Sequence, residues 1–155
     1  MADRAEPVTA GEAERTLVME RVFRANVERV FRAWTDPAFM VRWWGPEGFT
    51  TPELTLDVRP GGTWRTVMRS PDGSSHSVSG VFRAIDPPHR LVLSWAWEEA
   101  DGTRGHETEI ELTFATVETG TRMRLVQRLF QSPDWRDRHR HGWTQSLDKL
   151  DRYFG

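Results

Sequence analysis

The chain has 155 residues, of which 28% are charged and 37% hydrophobic, and a formal net charge of -2. That describes one globular domain long enough to bury a core, and the interleaved arginines and acids leave no electrostatic footprint for nucleic acid or an anionic membrane. Cysteine is absent, which removes disulfides, thiolate metal sites and cysteine nucleophiles and suits a cytoplasmic compartment.

The first segment, "MADRAEPVTAGEAER" (1–15), lacks the apolar region of a signal peptide and reads as a flexible lead-in to a single domain at 16–155. No apolar run approaches the roughly 18–20 residues that span a bilayer. "TLVMERVFRA" (16–25) alternates and predicts a strand. Val27, Val30, Phe31 and Trp34 then recur at helical spacing, with Asn26 placed to cap the start. Asp36 caps a second short helix, with Pro37 in its first position, which carries Phe39, Met40 and Trp43 and ends at Gly45-Pro46.

From residue 51 the period becomes two. Leu54, Leu56 and Val58 share a face, as do Trp64, Thr66 and Met68 opposite Arg65 and Arg69. "SPDGSS" (70–75) is a turn, 76–86 a strand, "PPH" a break, and 90–99 aligns Leu91, Leu93, Trp95 and Trp97. Gly80 falls near the expected place of Trp95, where a missing side chain leaves room for an indole. The strands at 106–117 and 122–130 form a hairpin. A two-residue loop at Thr119-Gly120 pairs Phe114 with Leu125, Leu112 with Gln127 and Ile110 with Leu129 inside, and Glu111 with Arg128 outside. Ser132, Pro133 and Asp134 then open a long helix whose stripe runs through Trp135, His139, Gly142/Trp143, Ser146/Leu147, Leu150 and Tyr153/Phe154. The predicted architecture is α+β: a curved antiparallel sheet of about seven strands, two short N-terminal helices, and a long C-terminal helix across the sheet.

Four blocks occur in order: "RWWGPEGFT" (42–50), "DVRPGGTWR" (57–65), "GVFRAIDPPHRLVLSW" (80–95) and "HGWTQSLDKL" (141–150). In this order they resemble the activator of heat-shock-protein ATPase homologue-like branch of the START-like superfamily, over about residues 16–154. The resemblance implies the helix-grip fold shared with pollen allergens and polyketide cyclases, and a cavity between sheet and helix for a small hydrophobic molecule. The co-chaperone that names the branch has an additional domain that this chain lacks, so a stress-related or chaperone contact is the lesser expectation.

Eight tryptophans against one tyrosine give the interior bulk with little polarity. An inward aromatic stripe either fills a core or lines a cavity. On the cavity reading, Trp64, Met68, Phe82, Trp95, Trp97 and Trp143 are apolar walls, and Gln127, Thr66 and His139 are the polar handles. Gln127 is equally well a hydrogen-bonded core amide. Gly142 in mid-helix means either a close neighbour or space kept open. Trp43 reads as a structural plug and Trp44 as a residue of the domain edge or the cavity rim.

The histidines lack metal-ligand spacing: His139 and His141 point to opposite sides of a helix, and His76, His89 and His106 lie at separate strand ends. No nucleophile motif or phosphate loop occurs, and Glu107, Glu109 and Glu111 fall on the outward face. The expectation is a binder of a small apolar or aromatic molecule with no catalytic residue, metal or cofactor. The rivals are a cyclase- or hydrolase-like enzyme using His139 in the same cavity, and an interaction protein linked to chaperones.

Overall fold

The computed structural model describes residues 10–155. The expected flexible lead-in therefore falls largely on residues 1–9, outside the described residues, and Ala10–Glu14 forms a short helix, α1. There follow β1 (Leu17–Phe23), α2 (Val27–Ala33), α3 (Pro37–Met40), β2 (Thr50–Leu56), β3 (Thr63–Arg69), β4 (Ser75–Asp86), β5 (Arg90–Glu98), β6 (Arg104–Val117), β7 (Gly120–Arg128) and α4 (Pro133–Phe154). The strands make one antiparallel seven-stranded sheet in the order β1-β7-β6-β5-β4-β3-β2. Strands β1 and β2, consecutive in sequence, lie at opposite edges, and α2 and α3 carry the chain between them. Helix α4 packs against the concave face. This is the helix-grip arrangement.

The helix starts follow local chemistry. The side chains of Asn26, Asp36 and Ser132 accept from the backbone N–H groups of Arg29, Ala38 and Trp135, satisfying donors that a helix N-terminus leaves free. Proline occupies the first turn of α3 and α4, where its missing N–H costs nothing. Helix α4 is held on β1 by Arg21, whose guanidinium donates to Asp148 at 2.5 Å and to the Thr144 carbonyl at 3.3 Å.

On the sheet, most inward residues are buried and most outward ones are not; β5 departs furthest from this, with outward Val92, Ser94 and Ala96 all buried. The cause is charge pairing above the middle strand. Arg83 of β4 reaches Glu107 of β6 at 3.0 Å, and Arg104 of β6 donates to Ser79 of β4 at 3.0 Å. The small side chains of Ser94 and Ala96 leave the space under that roof. Surface pairs of this kind stabilise little individually.

Three local expectations are corrected. The β6–β7 loop is Glu118-Thr119, not Thr119-Gly120: Val117 pairs with Gly120 and Phe114 with Met123. Gly120 takes the positive φ of 147° that follows the turn, and Thr121 beside it pairs with Phe23 of β1. A shift of two residues keeps every side chain on its expected face. Glu109 rather than Glu111 now faces Arg128, although the Arg128 fork bonds both, at 2.9 and 3.3 Å. Val58 lies beyond the end of β2 and is exposed. Gly80 makes room for an indole, but that indole is Trp64's, its direct partner on β3.

Candidate ligand-binding site

The loop after α3 begins the site. Trp43 is fully buried and its indole donates to the Ala33 carbonyl at 2.9 Å, which plugs the α2–α3 corner. Trp44 is also buried, at 3% exposed, so of its two expected places, the domain edge or the cavity rim, it does not take the edge. Its ring centroid lies within 5.5–6.3 Å of those of Trp34, Trp43, Trp64, Trp95 and Trp143. Its indole N–H donates to Thr66 Oγ1 at 3.0 Å. Gly45 turns the chain away at a φ of 93°.

Helix α4 grips this loop from the other side. The Lys149 ammonium donates to the carbonyls of Trp44, Gly45 and Pro46 at 3.4, 3.1 and 3.4 Å. Burial pushes its pKa below the ordinary lysine value. Gln145 accepts from the Glu47 N–H at 3.0 Å, and Arg152 pairs with the Glu47 carboxylate at 2.7 Å.

Between this loop, the β3–β4 hairpin, the end of β5 and the first half of α4 lies a cavity of about 430 Å³, a volume in the range of small-molecule sites. Among the side chains expected to line such a space, Met68, Trp95, Trp97, His139 and Trp143 do line it. Trp64, Thr66, Phe82 and Gln127 do not; they stand behind the wall and are used internally. Trp64 donates to the Ser94 carbonyl at 3.1 Å, Thr66 receives Trp44, and Phe82 is packed in the core. Gln127 accepts from the Trp143 indole at 2.9 Å and donates to Thr108 Oγ1 at 2.9 Å, so it is a bonded core amide. Trp44 lines it too, as the rim reading expected, and Phe49, Trp135 and Gly142 join the lining. The first members of the α4 stripe thus overhang the cavity, while its later members Leu147, Leu150 and Phe154 enter the core.

His139 is fully engaged. Trp97 Nε1 donates to its Nε2 at 3.0 Å, and its Nδ1 donates to the Trp135 carbonyl at 2.8 Å. This bonding pattern requires the neutral imidazole with the proton on Nδ1. Burial lowers its pKa from 6.5, opposed by the backbone hydrogen bond. Between the folded value and about 6.5 only the unfolded chain takes the proton, so stability declines as pH falls through that window. A His139→Phe variant is expected to flatten the change in urea midpoint between about pH 7.5 and 5.5. An unchanged slope would count against a buried neutral imidazole here.

Among the described residues no group of three His, Asp or Glu side chains is placed to hold a metal ion. No described helix is long and apolar enough to cross a membrane.

The model of a family described as activator of Hsp90 ATPase homolog 1-like protein matches residues 24–155. The chain belongs to this family. Solved structures agree with that placement. An AHSA1 protein from Silicibacter pomeroyi is 33% identical with a TM-score of 0.83, covering 89% of this chain and 96% of that one. A protein from Chromobacterium violaceum is 25% identical with a TM-score of 0.81, over 90% and 97% of the two chains. A putative uncharacterized protein from Rhizobium leguminosarum is 28% identical with a TM-score of 0.75, over 90% and 93%. No curated protein gives a significant match.

In this member of the activator of Hsp90 ATPase homolog 1-like family the cavity lies against the first half of α4. Two signals in the sequence pointed there. One is the helical spacing from Trp135 to His139 to Gly142. The other is Gly142 itself, where an added Cβ would meet only the Pro46 ring, at 3.8 Å. Of the two readings of that glycine, open space is the one the geometry fits.

Proposed function

We propose that the chain binds a small aromatic or otherwise flat apolar molecule in this cavity, with its ring among Trp44, Trp95, Trp97 and Trp143. The observation that carries the reading is a cavity of about 430 Å³ at which a mid-helix glycine keeps space open at the cost of helix propensity. Bulky indole faces offer area and offset-stacking geometry with little conformational entropy to lose. The engagement of both His139 nitrogens favours binding over acid–base turnover. A chaperone-linked role rests on the family description alone; the outer sheet face is tiled with arginine–glutamate pairs over its middle strands, and its exposed large hydrophobic side chains are Val18 and Val22 on the edge strand β1.

The test uses Gly142. Alanine fits and is expected to raise stability by about 1 kcal/mol, since glycine is the poorer helix former. Leucine is expected to fill the cavity and weaken binding of the neutral dye N-phenylnaphthylamine more than about tenfold, while the helix itself remains sound. Quenching of tryptophan emission reports occupancy directly, because the reporters line the site. Equal dye affinity in Gly142→Leu and in the unsubstituted chain would overturn the proposal.

A further inference from the structure

The cavity wall is unbalanced in its hydrogen bonding. Its acceptors of consequence are committed. Glu98 is held by the Arg65 fork at 2.9 and 3.0 Å, which keeps its carboxyl below the usual range. His139 Nε2 already receives the Trp97 indole. The hydroxyls of Ser75 and Ser77 at the hairpin serve as donor or acceptor and decide nothing.

The donors, by contrast, have capacity to spare. Trp95 is 5% exposed and lines the cavity, but its indole N–H, which has no acceptor among the described residues, is itself buried and is not one of the donors presented to a ligand there. Buried indole N–H groups ordinarily find a partner. Trp34 also has an orphan N–H, but it lies away from the cavity, with its ring 4.7 Å from that of Trp43. His76 stands at the mouth beside Phe49, with ring centroids 5.7 Å apart, and neither ring nitrogen is bonded among the described residues. Arg138 lines the mouth with its guanidinium 5.1 Å from the ring centroid of Trp135, which is 37% exposed. Its carboxylate partner is Asp134, at 3.1 Å, in a pair exposed on both sides. Such a pair is weak and easily shared, and a guanidinium has donors left over for a second anion.

We propose that the cavity selects aromatic anions: a ring among the tryptophans, with a carboxylate or similar oxyanion at the mouth against Arg138 and His76. The inference rests on the binding function proposed above and adds the charge of the ligand to it. Aromatic cages also take cations. Here a cationic ligand would meet Arg138 and find Glu98, the one carboxylate in the wall among the described residues, already paired with Arg65.

The experiment compares three dyes of similar size on the intact chain: anionic anilinonaphthalenesulfonate, neutral N-phenylnaphthylamine and cationic thioflavin T. The expected order of affinity is anionic, then neutral, then cationic, with the anionic preference falling as salt is raised. Arg138→Gln is expected to weaken the anionic dye about fivefold, the scale of one exposed ionic contact, and to leave the neutral dye within about twofold. Arg138→Lys, which keeps the charge and loses the planar fork, is expected to retain the preference. An unshifted melting temperature in both variants separates binding in the cavity from dye capture by a loosened fold. The charge inference is overturned if the neutral dye binds as tightly as the anionic one, or if Arg138→Gln weakens both alike. In that case dye binding that Gly142→Leu blocks leaves the cavity reading standing. If no dye binds, the cavity reading falls and this inference with it.

Discussion

Gly80→Ala is expected to destabilise the chain by about 3 kcal/mol or more, the upper end of what overpacking a filled interior costs. A Cβ at this position would lie 1.9 Å from the Ser94 carbonyl oxygen and 2.7 Å from Trp64 Nε1. The first of these contacts is to backbone in β5, the middle strand, which cannot move without breaking ladders on both sides. The site is already unusual. Trp64 takes the Ser94 carbonyl at 3.1 Å, and the Val81 N–H turns to the Ser94 hydroxyl at 2.9 Å. One glycine therefore admits an indole N–H into the β4–β5 ladder. Trimming the indole in a Trp64→Leu, Gly80→Ala double variant is not expected to restore stability, because the Ser94 carbonyl remains in the way. Denaturant unfolding measures both, and a loss under about 1 kcal/mol for Gly80→Ala would refute the account.

The second large effect is expected at Gln127. It is fully buried and stands in a chain of donors and acceptors. Trp143 Nε1 donates to it, it donates to Thr108 Oγ1, and Thr108 Oγ1 donates to the Trp95 carbonyl at 3.3 Å. Gln127→Leu is nearly the right size but orphans the Trp143 N–H and removes the donor that Thr108 accepts. Each buried group left unpaired costs about 1–3 kcal/mol, so a total of about 2–4 kcal/mol is expected. Removing the indole N–H as well, in Gln127→Leu with Trp143→Phe, should cost less than the sum of the two single changes. Strict additivity would mean that the indole–amide bond contributes nothing.

The fold was legible because its signals are local. Alternation in β3 and β5, the caps at Asn26, Asp36 and Ser132, and the α4 stripe each depend on residues within a few positions of one another. What the sequence left open depends on distance in space. Gly80 reads as a gap for an indole, but whether Trp64 or Trp95 fills it depends on register, which alternation alone does not settle. The β6–β7 loop was misplaced by one position. The turn puts its glycine after the two central residues, so that Gly120 holds the positive φ, and parity is blind to the resulting two-residue shift in pairing. Trp44 could be read as a residue of the edge or of the cavity rim; Lys149, more than a hundred positions away, holds its loop against α4, and its ring sits among five others at the cavity. Thr66 looked like a ligand handle, and Gln127 like either a handle or a bonded core amide, because a polar residue on an apolar face needs a partner. Their partners turned out to be indoles, Trp44 and Trp143, and indole N–H groups are easy to overlook when tryptophan is counted as an apolar wall.

Clusters of inward-facing carbonyls in proteins commonly gather a sodium or potassium ion. Here the ammonium of Lys149 takes that place. A tethered cation cannot be diluted away, exchanged or chelated, so the seat of Trp44 is occupied once per chain at any ionic composition. The tether also runs from α4, the helix that supplies Gly142 and Trp143 to the cavity. Loop and helix consequently travel together, and the width of the cavity is set by the fold itself rather than by the medium around it.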